Sequence, residues 1–422
     1  MSTTDTVVIG AGQAGLAASR CLTDRGRDHV VLEHGRVGER WRGRWDSLRL
    51  LTPNWMNALP GRPYRGPDPD GFAAAGAFTT DLEDYARSFG APVEEHAGVE
   101  TLRLRAGGFE VATAHGVRRA ANVVVATGWC DRPAVPAMSR NMAAAVHQAT
   151  PGDYRDPGSL PAGGVLVVGA SATGAQLAEE LRAAGRDVTL AVGGHTRMPR
   201  SYRGMDIYWW LERLGVLDRT IDEMPDPARA RREPSAQLVG RTGRRPLDLA
   251  TLAAAGVRLA GRVRGVDGHR VRLSPDLPVT VGTADRRLHR LLERIDRYVD
   301  AVGLRGEVGE PTRTRSVRLS HPIEELDLRT AGVRSVVWAT GYRRVYPWLR
   351  IPVLDDHGEI RHHRGRTGVP GLYVLGQRFQ HRRSSHLIGG VGRDAADIAD
   401  HICGPRSGDP AQLHLETTHA RT

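Results

Sequence analysis

Two short glycine-rich turns constrain this chain more than anything else in it, each with a strand-like apolar run before it and a helix-like run after it. The first is Thr6-Val7-Val8-Ile9-Gly10-Ala11-Gly12-Gln13-Ala14-Gly15, and the second is Val165-Leu166-Val167-Val168-Gly169-Ala170-Ser171-Ala172-Thr173-Gly174. A strand that turns at once into a helix lays that helix on the face of a sheet, so each turn opens a βαβ unit. Around the first, 5–10 reads as a buried strand and Val30-Val31-Leu32-Glu33 as the next one. Between them, 13–26 reads as a helix with Leu16, Ser19, Arg20 and Thr23 outside a small-residue face. Around the second, a strand begins at 164, its helix runs to Ala184 before Gly185, and 187–192 is the following strand.

Turns of this kind bind dinucleotides for a physical reason. Gly10 permits the tight turn, Gly12 lets the backbone approach a pyrophosphate, and Gly15 lets helix and strand pack closely. Gln13 and Ala14 begin a helix whose N-terminus offers N–H groups and partial positive charge to phosphates. Glu33, at the end of the second strand, can accept hydrogen bonds from ribose hydroxyls. In the second turn Gly169, Ala172, Thr173 and Gly174 keep the pattern, while Ser171 stands where the middle glycine usually sits. No acid ends the strand at 187–192. The run after it carries Arg197 and Arg200, which suit the 2′-phosphate of NADPH through bidentate charge-assisted bonds. Two dinucleotide sites on one chain make electron transfer between two redox cofactors the leading idea.

The fold class expected is α/β, with two Rossmann-type dinucleotide-binding domains and a partly helical insertion in the second. The first domain is expected to be discontinuous, over 1–157 and 342–403. The second spans 158–341 with its insertion at about 203–250, and 404–422 reads as a flexible tail. Thr80-Asp81-Leu82-Glu83 reads as a capping box opening a helix that stops at Gly90. Runs at 99–105, 109–113 and 117–126 read as an antiparallel meander, and 150–158 as a linker. Apolar faces at Ile207, Trp210, Leu211 and Leu214, and at 284–302, read as helices of the second half. Strands are expected at 333–339 and 371–375, and a final helix from about Gly392 to Cys403.

Composition excludes several classes. The net charge of +11 comes from 59 basic residues, every one an arginine, dispersed along the chain. With abundant Ala, Gly and Pro this reads as a compositional bias and not as a nucleic-acid surface. The absence of lysine excludes a Schiff-base lysine and a P-loop lysine. No apolar run is long enough for a membrane span. No leader is seen, so a cytoplasmic location is expected. Cys21, Cys130 and Cys403 are far apart, which fits a reducing compartment and excludes a dithiol pair. His362-His363 has no spaced partners, so no metal is expected.

The residues taken together resemble the two-dinucleotide-domain flavoproteins, and within them the class B flavin-containing monooxygenase branch. The carriers are Gly10–Gly15 with Glu33, the stretch from Trp41 to Pro53, Ala126-Thr127-Gly128, Gly169–Gly174, Ala339-Thr340-Gly341-Tyr342, and 385–395. The resemblance implies FAD in the first domain, held also by Trp41, Arg42, Ala126, Thr127, Gly128 and Gly390. It implies NADPH in the second, with Ala339, Thr340 and Gly341 beside it. Both Ala-Thr-Gly turns would mark crossings between domains. The implied reaction reduces FAD with NADPH, adds O2 to give a flavin C4a-(hydro)peroxide, and delivers one oxygen to a small organic substrate, by N-hydroxylation or oxygen insertion. Chemistry is then centred on the flavin, with Trp41, Leu51 and Asn54 the candidates near it. The family's F-x-G-x-x-x-H signature is degenerate here, with Thr150 at the histidine position.

Alternatives stay open at this point. One is a reductase passing electrons to a carrier protein or quinone; another is a flavin-binding module without catalysis. Tyr208, Trp209 and Trp210 read either as a substrate entrance or as packing in the core or at a homodimer interface. Arg378, His381, Arg382, Arg383 and His386 read either as a site for an acidic substrate or NADPH, or as exposed loop charges.

Overall fold

In the computed structural model, residues 2–241, 243, 245–319 and 321–404 are described. The chain opens with β1 (Ser2–Ile9), α1 (Gln13–Asp24), β2 (His29–Leu32), α2 (Glu39–Arg42) and α3 (Ala75–Ser88). β3 (Val93–Glu94), β4 (Val99–Arg105), β5 (Gly108–Thr113) and β6 (Gly116–Val125) follow, then the short β7 (Arg132–Pro133) and β8 (His147–Ala149). A second cycle runs through β9 (Gly164–Val168), α4 (Ala172–Ala183) and β10 (Val188–Ala191). After it come β11 (Ser201–Tyr202), β12 (Met205–Asp206), α5 (Ile207–Arg213), α6 (Pro227–Arg231), α7 (Leu249–Ala254) and β13 (Arg258–Ala260). β14 (Val263–Asp267) and β15 (Arg270–Leu273) lead to the long α8 (Leu277–Val302), β16 (Glu325–Asp327), β17 (Val333–Trp338) and β18 (Tyr342–Arg343). β19 (Leu372–Val374) and α9 (Val391–Cys403) end the described chain.

The first sheet has the order β3-β2-β1-β6-β5-β4, with β19 also on β6. Its centre is parallel: β1 pairs with β2 and β6, and β19 pairs with β6. Val7, Val8, Val31, Val123, Val124 and Val125 are all fully buried, as a parallel sheet covered on both faces requires. β4, β5 and β6 form the expected antiparallel meander. One helix face differs from the expectation. Leu16 and Ser19 are fully buried, because α9, from the far end of the chain, packs along α1. The Ser19 hydroxyl is satisfied by His29 Nε2 at 2.8 Å. The capping box at Thr80 is also not a helix start. α3 begins at Ala75 without a side-chain cap, and Thr80 sits inside it, its hydroxyl donating to the Gly76 carbonyl.

The second sheet is wholly parallel, in the order β13-β10-β9-β17-β8. β8 belongs to it, so residues 147–149 lie with the second domain and the expected boundary at 157 falls too late. The turn residues of 150–158 hid this, since a three-residue edge strand carries almost no pattern. The chain crosses between the two halves at β7 and β18, which pair antiparallel right after the two Ala-Thr-Gly turns. Within the insertion, Ile207 and Trp210 of α5 pack on Leu288, Leu292, Ile295 and Val299 of α8. α8 starts at Leu277, seven residues before the expected 284, and its Val302 is exposed. Of the tail expected over 404–422, only Gly404 is among the described residues. No helix among the described residues is long and apolar enough to cross a membrane.

Candidate active site

Both glycine turns lie at the carboxyl ends of their parallel strands, where ligands bind in open α/β sheets. Each of the first turn's glycines has its own task. Gly10 has φ +104°, and a Cβ there would lie 2.8 Å from the Ala126 carbonyl oxygen. A Cβ on Gly15 would lie 1.8 Å from the Gly10 carbonyl oxygen, so that glycine seats α1 on the turn. Gly12 is the N-cap of α1 with ordinary extended backbone, and a Cβ on it would meet nothing within 4 Å. The space above Gly12 is therefore left for something other than protein.

That space is a cavity of about 760 Å³ lined by Gly10, Gly12, Gln13, Ala14, Glu33, Trp41, Ala126, Thr127 and Gly128. The Glu33 carboxylate accepts from Ala11 N–H at 2.6 Å and Gly35 N–H at 3.0 Å. Burial opposes its charge, but hydrogen bonds from His34 and these two amides outweigh burial and hold it below the usual carboxylate range. Trp41 Nε1–H donates to Gln13 Oε1 at 3.0 Å, which fixes the indole across the mouth of the turn. An extended dinucleotide fits this arrangement: amides and a helix N-terminus for the pyrophosphate, an ionised acid at the ribose end, and an apolar far wall at Leu50, Leu51 and Ile388.

The second turn repeats the first. Gly169 has φ +108°, and Gly174 seats α4 on it with the same 1.8 Å approach. Ser171 has φ −76° and ψ −171°, close to the −82° and −173° of Gly12. The middle position thus asks for small size and not for a left-handed backbone, and serine meets it. A second cavity of about 1140 Å³ is lined by Gly169, Ser171, Ala172, Thr173, Ala339, Thr340 and Gly341. Trp41, Arg44, Leu51, Trp129, Cys130 and Arg378 line both cavities, so the two share one wall.

Several expected site residues are engaged elsewhere. Arg197 is buried and ion-paired with Asp248 at 2.6 Å and Asp285 at 2.7 Å. Arg200 is 1 % exposed, paired with Asp206 at 2.6 Å, and donates to the Leu51 carbonyl oxygen at 2.7 Å. Neither guanidinium faces the second cavity, which corrects the 2′-phosphate assignment: Arg197 is taken up by the distant Asp248 and Asp285, and Arg200 by the nearby, buried Asp206. Arg42 pairs with Glu83 of α3, and Arg44 takes its expected place at the cavity. Asn54 is buried, bridging the Asp68 carbonyl oxygen and the Ala73 amide, and lines neither cavity. Gly390 packs against the Ser384 carbonyl oxygen, and His386, Leu387 and Ile388 line the cavity in its stead. Of the aromatic trio, Tyr208 faces the first cavity while Trp210 is fully buried core.

Of the loop residues read as a possible charged site, Arg378, Arg383 and His386 line the first cavity, and Trp129 joins them without an advance signal. Arg378 lies over the Trp129 ring, 5.5 Å from its centroid, and Trp129 meets His386 edge-on at 5.9 Å. Burial, aided by Arg378 and Arg383, pushes the His386 imidazole down to about 3, so it is neutral at ordinary pH. Burial pushes the Cys130 thiol up against the opposing pull of Arg44, so it is no activated nucleophile. His381 and Arg382 turn away to Asp394 and Asp397. Exposed Arg262 lines the second cavity beside Gly193 and Gly194, at the end of β10. Its position after β13 gave the sequence no reason to single it out.

Comparison with known proteins fits this geometry. Residues 7–213 match the family model described as pyridine nucleotide-disulphide oxidoreductase. The chain is 33% identical over 401 residues to an uncharacterized CzcO-like oxidoreductase of Geobacillus kaustophilus, covering 94% of this chain and 98% of that one. It is 28% identical over 438 aligned positions to the indole-3-pyruvate monooxygenase YUCCA1 of Oryza sativa, covering 97% and 94%. In fold it is similar to the flavin-containing monooxygenase from Stenotrophomonas maltophilia, with a TM-score of 0.67 at 19% identity, over 95% of this chain and 98% of that one.

Proposed function

We propose that this chain, which belongs to the CzcO-like oxidoreductases, is an FAD-dependent, NADPH-using monooxygenase acting on a small organic molecule. The observation that carries this reading is the wall common to the two dinucleotide cavities. FAD held there would supply the redox chemistry, hydride acceptance and O2 activation. The protein's part is to bind, orient and keep water out. Gly12 and the α1 N-terminus hold the flavin's pyrophosphate, and Glu33 its ribose. Ser171 and the α4 N-terminus hold the nicotinamide cofactor's pyrophosphate.

NADPH is favoured over NADH by Arg262, which is exposed at the nucleotide end of the second cavity and has no ion-pair partner among the described residues. Met198, Tyr208, Leu211 and Leu238 give the first cavity an apolar extension beyond the flavin site, suited to a substrate body. Thiol–disulfide chemistry is disfavoured, since Cys130 enters the cavities alone and the other two cysteines line neither.

The test is isotopic. The FAD-loaded enzyme, given NADPH and labelled O2 with a panel of small amines, sulfides, ketones and organic acids, is expected to place label in one product class. NADPH oxidation that reduces a quinone or ferredoxin at full rate, with no label in any product, would replace the monooxygenase reading by the reductase one. Failure of NADPH to bleach the flavin would leave a binding module.

A further inference from the structure

The second cavity continues past the nicotinamide site to a wall where two buried donors have no acceptor. Arg231, the last residue of α6, has a buried Nε with no hydrogen-bond partner and no carboxylate within ion-pair distance among the described residues. Arg344, following β18, donates through Nε to Glu359 and through Nη1 to Gln377 Oε1 at 2.6 Å. That bond fixes the orientation of the amide, because only its oxygen can accept from a guanidinium. It leaves Gln377 Nε2, in a residue 4 % exposed, buried and without an acceptor. All three side chains line the cavity, and His362 lines it with them.

The charges there do not balance. Burial, followed by the neighbouring Arg344, pulls the Arg231 guanidinium below its ordinary range. Burial, with Arg231 and Arg344 beside it, pushes His362 down to about 4, so this imidazole remains uncharged. The acids that share the cavity are already engaged. Glu359 holds Arg344, Glu233 holds Arg383, and Asp355 accepts the His357 and Glu359 amides. A half-buried guanidinium beside a second one, with a buried Nε and a buried amide N–H left without acceptors, is a costly arrangement that an entering anion relieves.

We propose that Arg231, Arg344 and Gln377 form a subsite for the carboxylate group of an organic-acid substrate, resting on the monooxygenase reading above. Two guanidiniums and an amide N–H match the planar, multi-acceptor shape of a carboxylate. The cofactor phosphates have other places, since α6 and residues 344–377 belong to neither glycine turn. Met138, Tyr346 and Ile360 line the same cavity and suit an apolar body attached to the acid.

Calorimetry on the FAD-loaded enzyme tests this without turnover, so its outcome is separate from that of the isotope experiment. Benzoate and phenylacetate are titrated against benzamide and phenylacetamide. The wild type is expected to bind the acids at least tenfold more tightly than the amides. Arg231→Gln is expected to abolish the preference, and Arg231→Lys to keep part of it, with flavin content unchanged in both. NADPH affinity should be the same in all three proteins. Equal binding of acid and amide by the wild type, or binding of neither, would overturn the proposal. So would a tenfold loss of NADPH affinity in Arg231→Gln, which would assign the guanidinium to the nucleotide.

Discussion

Replacing Gly12 separates cofactor binding from folding, and its surroundings determine how cleanly. Its backbone is extended, at φ −82° and ψ −173°, which any residue adopts, and an added Cβ meets no protein atom within 4 Å. The cost of Gly12→Val to the flavin-free fold is then that of a poor N-cap, about 1 kcal/mol. That corresponds to a fall in Tm of about 2 to 4 °C for a domain of this size. The branched side chain instead fills the space over the α1 N-terminus. Losing even one charge-assisted hydrogen bond together with the helix-end interaction costs about 3 kcal/mol. Flavin affinity should therefore fall roughly 100-fold. Gly15→Ala is the contrasting case. Its Cβ would lie 1.8 Å from the Gly10 carbonyl oxygen, and backbone cannot yield as a side-chain tip can. There the fold itself should lose about 3 kcal/mol or more. The assay is a melt of both flavin-stripped variants, followed by fluorescence titration with FAD. Gly12→Val purifying yellow at wild-type stoichiometry would refute the reasoning, as would a flavin-free melt as low as that of Gly15→Ala.

Three further outcomes follow from the charged side chains. Arg197→Ala leaves Asp248 and Asp285 without their cation and should destabilise the protein by about 3 to 5 kcal/mol in denaturant unfolding; a rise in NADPH KM at unchanged stability would restore Arg197 to the cofactor. Arg262→Ala should raise the KM for NADPH by about tenfold, one charge-assisted contact's worth, and leave NADH unaffected; parallel effects on both would remove Arg262 from the 2′-phosphate. Burial raises the Asp394 carboxyl to about 6 from its ordinary 3.8, so the folded state holds this proton more tightly than the unfolded chain. The stability it contributes is complete below about pH 4 and lost as pH climbs to about 6, some 2 to 3 kcal/mol relative to Asp394→Asn. Stability–pH curves of the two proteins that run parallel across that interval would refute the assignment.

What the sequence could reveal was whatever repeats at short range. The apolar runs before Gly10 and Gly169, the helices after them and the meander through β6 are local patterns, and each is present in the fold. Contacts made across hundreds of residues were not readable. Leu16 and Ser19 looked exposed because nothing near them announces that α9 will cover α1. Arg197 looked available because Asp248 and Asp285 become its neighbours only after folding, and Arg200 because nothing local marks its pair with the nearby Asp206 as buried. Thr80 and Glu83 have capping-box spacing, yet a helix can begin earlier at Ala75 with no cap at all, its amphipathic face being sufficient. The dinucleotide turns were legible as sites; the Arg231–Gln377 wall was not, because it joins a short insertion helix to a loop far down the chain.

The strand that completes the first sheet is also the last one along the described residues. β19 lies against β6, and α9 covers α1, whereas the second sheet has all its strands once Trp338 is in place. A nascent polypeptide can thus close its nicotinamide half while the other half still lacks a strand and a covering helix. With the flavin proposed at the first turn, a product cut short before Leu372 should lack the covering of that turn's sheet and fail to retain FAD.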